Sequence, residues 1–288
     1  MFIATLIAKE RLTRGDISAA RDATGARDFA WIEEGIAADL PISGDPGAAR
    51  RALEGLLEGV DAIVQPATHR RKRLLVADMD STMIGQECID ELADYAGFRD
   101  EVAAVTERAM RGELDFAAAL DARVALLAGL PAETIDRCRE ERVRLTPGAR
   151  ALVRTMRANG AFTLLVSGGF TRFAEPVAAA IGFHEARANV LEERDGRLAG
   201  TVARPIVDAA VKRAALAEAA ASRAIAPAET LAIGDGANDI PMIEAAGLGV
   251  AFRAKPRTAA AADARIEAND LTALLYAQGY ARKDWVTD

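Results

Sequence analysis

Leu74-Leu75-Val76-Ala77-Asp78-Met79-Asp80-Ser81-Thr82 is a short apolar run closed by two acids and two hydroxyls. An uninterrupted apolar run suits a strand buried on both faces, because a sheet with one wet face would alternate. Similar runs follow at residues 162–166, 231–233 and 248–252, with helical patterns between them at 148–158 and 206–221. Buried strands alternating with helices predict an α/β domain: a Rossmann-like parallel sheet with helices on both faces.

About 80 residues separate the first run from the second. Ile89, Leu92, Ala93 and Ala96 fall at i, i+3, i+4 and i+7, and Phe116, Leu120, Val124 and Leu127 form another stripe, with Pro131 placed to open the next helix. A helical cap inserted at about 86–145 is expected. A hairpin is expected at 189–202 around Asp195-Gly196. Ahead of the first run, residues 2–8, 29–32, 35–40 and 62–64 read as strands, and 18–23 and 47–57 as helices. That βαββαβ order predicts a small α/β, ferredoxin-like unit over residues 1–68, followed by the main domain over 69–288. Arg70-Arg71-Lys72-Arg73 reads as a solvated linker between them. The first unit carries none of the candidate catalytic residues and is expected to be dispensable for chemistry.

The chain has 288 residues, 36 Lys+Arg against 43 Asp+Glu, and a net charge of −7. This acidity argues against a nucleic-acid binder. No apolar stretch is long enough to span a membrane, and residues 2–8 lack the features of a leader. Two cysteines, Cys88 and Cys138, and two histidines, His69 and His184, exclude a disulfide framework or a His-rich metal centre. A cytoplasmic protein working through carboxylates is expected.

Ligands of open α/β sheets bind beyond the carboxyl ends of the strands. Asp78 and Asp80 follow the first run, Ser167-Gly168-Gly169 the second, and Gly234-Asp235-Gly236-Ala237-Asn238-Asp239 the third; Lys212 lies on the helix between the last two. Asp78, Asp80 and Asp235 brought together need a cation, and oxygen donors suit Mg²⁺. Ser167 with the following amides, at an expected helix start, suits phosphate oxygens. A carboxylate nucleophile, a cation, an amide nest and a lysine describe phosphoryl transfer through an aspartyl-phosphate. Taken singly, these residues have plainer readings: Glu87 as a first-turn acid, Arg123 as a snorkelling cation, Cys88 and Cys138 as packing residues.

In order and spacing, Asp78-Met79-Asp80-Ser81-Thr82, Ser167, Lys212 and the 234–239 segment resemble the four motifs of the haloacid-dehalogenase superfamily, over residues 73 to about 268. Glu87, Met110, Phe116 and Arg123 extend the resemblance to its phosphoserine phosphatases. The resemblance implies Asp78 as nucleophile and Asp80 as general acid and base. It implies Mg²⁺ held by the Asp78 and Asp235 side chains and the Asp80 carbonyl, with Asp239 behind them orienting Lys212 or a water. Ser167, Gly168, Lys212 and Asn238 would bind phosphate, Glu87 the substrate ammonium, Arg123 its carboxylate, and Met110 and Phe116 would be apolar cap residues. The implied reaction is hydrolysis of L-phosphoserine, the last step of serine biosynthesis. Transfer to an alcohol, or another small phosphomonoester as substrate, stays open. The only partner implied is the small-molecule substrate, with a homodimer left open, and residues 1–68 are loosely similar to an ACT-type unit.

Overall fold

The computed structural model describes residues 1–111 and 113–287, without the Met110 side chain. The first unit comprises β1 (Phe2–Ala8), α1 (Arg14–Thr24), β2 (Ala30–Glu33), β3 (Ala37–Ile42), α2 (Pro46–Leu53) and β4 (Val60–Pro66). Its antiparallel sheet has the order β2-β3-β1-β4. Local chemistry sets the helix ends. Thr13 and Asp16 form a reciprocal cap at the start of α1, which stops at Gly25 with φ +70°. Asp45 caps α2 with Pro46 in its first turn. The helix expected through residue 57 ends at Leu53, because Glu54 is extended and Gly55 has φ +75°. Leu6, Leu40 and Leu53 share the core with Ile17 on one face of the sheet.

The main domain begins with β5 (Leu74–Ala77), whose four residues are wholly buried. Four helices follow: α3 (Cys88–Ala96), α4 (Arg99–Met110), α5 (Phe116–Ala125) and α6 (Glu133–Arg142). Pro131 lies two residues ahead of α6, before its cap residue Ala132, rather than opening the helix. Then come α7 (Ala149–Ala158), β6 (Phe162–Phe170), α8 (Thr171–Ile181) and β7 (Glu185–Asn189). A hairpin, β8 (Leu191–Arg194) and β9 (Arg197–Val202), precedes α9 (Ala209–Ser222) and β10 (Thr230–Gly234). The last elements are α10 (Ile240–Ala245), β11 (Leu248–Phe252), α11 (Pro256–Ala261), β12 (Ala264–Ile266) and α12 (Ala273–Ala277). Among the described residues the domain's main sheet is six-stranded and parallel, ordered β12-β11-β10-β5-β6-β7. No helix among them is long and apolar enough to cross a membrane.

Register sets the chemistry's location. Ala77 pairs with Leu165 on one side and Ile233 on the other, so these strand ends lie level. From β5 the chain passes to β6 and β7 on one side and later to β10, β11 and β12 on the other, and this reversal of strand order opens a crevice at the end of β5. The helical insertion covers it. Its two ends are joined by an Ile84–Leu145 bridge and by the Gly85 N–H donating to the Arg144 carbonyl at 3.1 Å. The hairpin braces the insertion from below, the Gly129 N–H donating to the Leu198 carbonyl at 2.8 Å.

The basic stretch is not a solvated linker. Arg70 grips Asp39 of β3 with two hydrogen bonds, 2.6 and 3.0 Å, and donates through Nε to the Ala277 carbonyl at 3.1 Å. Lys72 is buried and donates to the Ala228 carbonyl at 2.8 Å, while Arg71 lies over the Tyr280 ring. On β4, Asp61 accepts the backbone N–H groups of Glu267, Ala268 and Asn269 and the Asn269 amide. Helix α12 packs on β1, and Ile7, Ala37 and Ile63 share one apolar core with Leu274 and Tyr276. Removing residues 1–68 would uncover that face and leave Arg70 without its carboxylate. A chain without them would therefore lose structure that the expectation of dispensability took for granted.

Candidate active site

Asp78 follows β5, its backbone N–H held by the Ile233 carbonyl at 3.0 Å. Beyond it the chain makes one tight turn over Met79–Met83, in which Asp80 is extended and Ser81 takes the left-handed conformation with φ +52°. The Ile84 N–H donates to the Met79 carbonyl and the Ser81 N–H to the Gln86 carbonyl, closing that turn. A serine with positive φ is uncommon. Here it reverses the chain and carries it into the cap.

Lys212, wholly buried on α9, joins two acids: its Nζ lies 2.6 Å from Asp78 Oδ1 and 2.7 Å from Asp239 Oδ1. The other oxygen of Asp239 accepts the backbone N–H groups of Asp235 and Gly236 at 3.2 and 3.0 Å. Gly234 is required for this packing, because a Cβ there would lie 2.4 Å from the Asp239 carboxylate. Thr82 donates its hydroxyl to Asp235 at 3.3 Å.

Charge in this cluster is under-compensated. Burial, then Asp239, pushes the Asp78 carboxyl well above its usual range, against the pull of Lys212. Burial, then Glu87, pushes Asp80 up to about 7, and burial, then Asp239 and Glu87, pushes Asp235 up to about 6. Burial would lower Lys212, but Asp78 and Asp239 outweigh it and hold the ammonium above its ordinary value. Asp78, Asp235 and Asp239 bring carboxylate oxygens within 4.8 Å of one another. Buried hard oxygen donors with surplus negative charge fit a divalent cation. The oxygens of Asp239 are already engaged by Lys212 and two amides, which leaves Asp78 and Asp235 as the available pair.

A cavity of about 440 Å³ opens over these acids. Asp78, Asp80, Gly168, Asp235 and Asn238 line its floor, and Glu87, Phe116 and Arg123 its cap side. Glu87 accepts the Ser81 hydroxyl at 2.7 Å. Arg123 is half-buried on α5 and donates through Nε to the Ala119 carbonyl at 3.2 Å. Burial pushes its guanidinium below its ordinary value, while Asp90 and Glu87 act against that.

Several readings need correction. Ser167-Gly168-Gly169 do not start a helix: β6 runs on to Phe170 and α8 begins at Thr171. Neither glycine adopts positive φ, so the backbone stays extended; the Ser167 hydroxyl accepts the Gly169 N–H at 2.8 Å and, like Lys212, is wholly buried. Phe116 is not on the buried stripe of α5. As the first residue of that helix it is 36% exposed and lines the cavity, while Leu120, Val124 and Leu127 are buried. The Met110 side chain lies outside the described residues.

Two contributors escaped the sequence reading. Lys255 lines the cavity and acts on Asp235; it follows the fourth apolar run, where the strand-end rule would have found it had it been applied there. Cys88 donates its backbone N–H to Asp80 at 3.3 Å, a contact with no sequence signal of its own.

The family model of haloacid dehalogenase-like hydrolases matches residues 75–244. A phosphoserine phosphatase of Streptomyces coelicolor is 48% identical over 86% of this chain and 62% of its own length. One from Albidiferax ferrireducens is 47% identical over 70% of this chain and 88% of its own length. The solved structure of a probable phosphoserine phosphatase from Vibrio cholerae, 33% identical, superposes with a TM-score of 0.79 over 98% of this chain and 87% of that one. The chain spans 55–65% of the length of the Streptomyces protein and of curated relatives from Archaeoglobus fulgidus and Mycobacterium tuberculosis.

Proposed function

The chain belongs to the haloacid dehalogenase-like hydrolases, in their phosphoserine phosphatase branch, and from that membership we propose that it hydrolyses L-phosphoserine to L-serine and phosphate. One observation carries the reading: a single cavity is lined by Asp78 and Asp80 on its floor and by Glu87 and Arg123 on its cap side. Phosphoserine carries a phosphate at one end and an ammonium and a carboxylate at the other. A guanidinium pairs bidentately with a carboxylate, and an acid balances an ammonium.

Asp78 is the nucleophile. Its carboxylate attacks phosphorus in line with the departing seryl oxygen, and the Asp80 carboxyl gives that oxygen its proton as the P–O bond breaks. Asp80 then takes a proton from the water that cleaves the aspartyl-phosphate, serving first as acid and then as base. A carboxyl held at about 7 suits both duties. Lys212 fixes one oxygen of Asp78 and faces the phosphoryl group with positive charge, Asp239 holds Lys212 in place, and Ser167, Gly168 and Asn238 receive phosphate oxygens. The side chains of Asp78 and Asp235, with the Asp80 carbonyl, would hold Mg²⁺, which when bound supplies charge neutralisation at the phosphate oxygens. The cap excludes water from the attack. Phe116 supplies apolar contact to the substrate from the cap side. A cytoplasmic place at the end of serine synthesis follows from this activity.

The test is phosphate release from a panel containing L-phosphoserine, phosphocholine, a sugar phosphate and p-nitrophenyl phosphate, with Mg²⁺ and with excess EDTA. Phosphoserine should give the highest kcat/KM, and EDTA should abolish turnover. A preference for phosphocholine or sugar phosphate, or full activity in EDTA, would overturn the proposal. Adding an alcohol acceptor separates hydrolysis from transfer, and phosphate release should be undiminished.

A further inference from the structure

The carboxylates of Asp78, Asp80, Glu87, Asp115 and Asp235 line the cavity, against only Arg123 and Lys255 as cations among the described residues. Arg123 stands on the cap side, and the ion pairs at the floor are those of Lys212 with Asp78 and Asp239. No ion pair among the described residues uses the Lys255 ammonium. The fold places this lysine from the fourth strand end. Ala251 of β11 pairs with Gly234 of β10, so the turn after β11 runs beside Asp235. In that turn Arg253 takes the left-handed conformation with φ +45°, uncommon for a residue with a side chain. Its N–H donates to the Ile266 carbonyl at 2.9 Å and its guanidinium to the Asn269 carbonyl at 3.2 Å. The Lys255 N–H then donates to the Asp235 carbonyl at 3.2 Å, which fixes its backbone next to the floor before Pro256 opens α11. Lys255 is exposed and also lines the cavity, so it stands at the mouth.

We propose that Lys255 captures the substrate's phosphate: its ammonium, at the floor side of the mouth, draws the dianion past the acids and holds it in the enzyme–substrate complex. The inference rests on the floor being the phosphate end of the cavity, and it deepens that reading. A dianion approaching a mouth lined by carboxylates is repelled, and an unpaired cation beside the floor offsets that repulsion. The reach of the charge is visible at Asp235: burial, then Asp239 and Glu87, raise that carboxyl, and Lys255 pulls against them. An ammonium at the mouth attracts the phosphate before and during P–O cleavage alike, so it acts on binding and not on the chemical step. Its pull is indifferent to the rest of the ester, which divides the work between the two lining cations. Lys255 serves any phosphomonoester, and Arg123 serves the one with a carboxylate.

Lys255→Met keeps the stem and the backbone hydrogen bond and removes only the charge; Lys255→Gln makes the same comparison if the apolar tip causes aggregation. At low ionic strength and saturating Mg²⁺, KM for p-nitrophenyl phosphate should rise by about 5- to 20-fold while kcat stays within about 2-fold. KM for phosphoserine should rise by the same factor, because both esters bring the same dianion. In about 0.5 M KCl the difference from wild type should shrink to about 2-fold, as expected of an exposed charge. Lys255→Arg should restore most of the loss. Calorimetric titration with inorganic phosphate in the presence of Mg²⁺ should show weaker binding to Lys255→Met by a similar factor. A fall in kcat at unchanged KM, a loss confined to phosphoserine, or a loss that salt leaves intact would overturn the inference. So would a loss that higher Mg²⁺ abolishes, since Lys255 would then act through the metal. If the wild type prefers another ester while the p-nitrophenyl phosphate results hold, the proposed substrate falls and this inference stands.

Discussion

Two clusters of buried charge sit in this molecule, and they are finished differently. Between the first unit and the main domain, Asp61 accepts four hydrogen bonds and Asp39 accepts two from Arg70 and one from Thr5. Each acid there is matched by donors fixed in the fold. Beyond β5, β6 and β10, among the described residues only Asp78 and Asp239 are paired with the buried Lys212, and Asp78, Asp80 and Asp235 are all pushed upward. A buried polar group that serves only the fold is satisfied, because leaving it unpaired costs about 1–3 kcal/mol or more. A group that must receive a ligand is left short of charge until that ligand arrives. Carboxylates saturated with donors at the interface, and carboxylates short of positive charge at the strand ends, therefore separate structure from chemistry.

The contrast breaks first, and by the largest margin, at Asp78. Asp78→Asn should lower kcat for phosphoserine by on the order of 10⁴-fold or more, while the thermal midpoint stays level or rises, since a strained charge is removed. Near-normal turnover would place the nucleophile elsewhere. The interface should respond in the opposite sense. Asp61→Ala leaves three backbone N–H groups unpaired, so urea unfolding should show a loss of about 2–4 kcal/mol, with kcat/KM unchanged. Equal losses of stability and activity would mean the interface helps shape the site.

The smallest effect belongs to Lys72. Burial pulls its ammonium down to about 8, with Asp263 and Glu229 acting against that. Between pH 8 and 10.5 the unfolded chain holds a proton that the folded chain has released, so stability should rise with pH across that window. Lys72→Met should flatten the rise in a pH series of denaturant unfolding. An unchanged slope would show that other groups govern stability there.

How legible each cluster was follows from distance along the chain. Asp78, Ser167 and Asp235 were readable because each follows an apolar run, and strand ends are where an open α/β sheet binds its ligands. Arg70 was not, because its partners are Asp39 and the Ala277 carbonyl, 31 and 207 residues away, and no local pattern distinguishes a cation bound there from one in water. Phe116 went astray for a related reason. Its spacing fits the stripe of α5, but a first-turn residue overhangs the helix end, and here the cavity lies beyond it. The extended backbone at Gly168 and Gly169 was equally hidden, since glycine permits a helix start and a strand alike.

Substrate choice is where floor and cap must act together, and one ratio reads it. Phosphoserine and p-nitrophenyl phosphate share the phosphate that the floor would bind, but only phosphoserine carries the carboxylate proposed to meet Arg123. In Arg123→Ala, kcat/KM for phosphoserine should fall by about 30- to 1000-fold, the equivalent of roughly 2–4 kcal/mol for a buried charge left unpaired, while p-nitrophenyl phosphate should change by about 3-fold or less. A parallel loss on both substrates would make Arg123 a support of the cap and would contradict the assignment of phosphoserine.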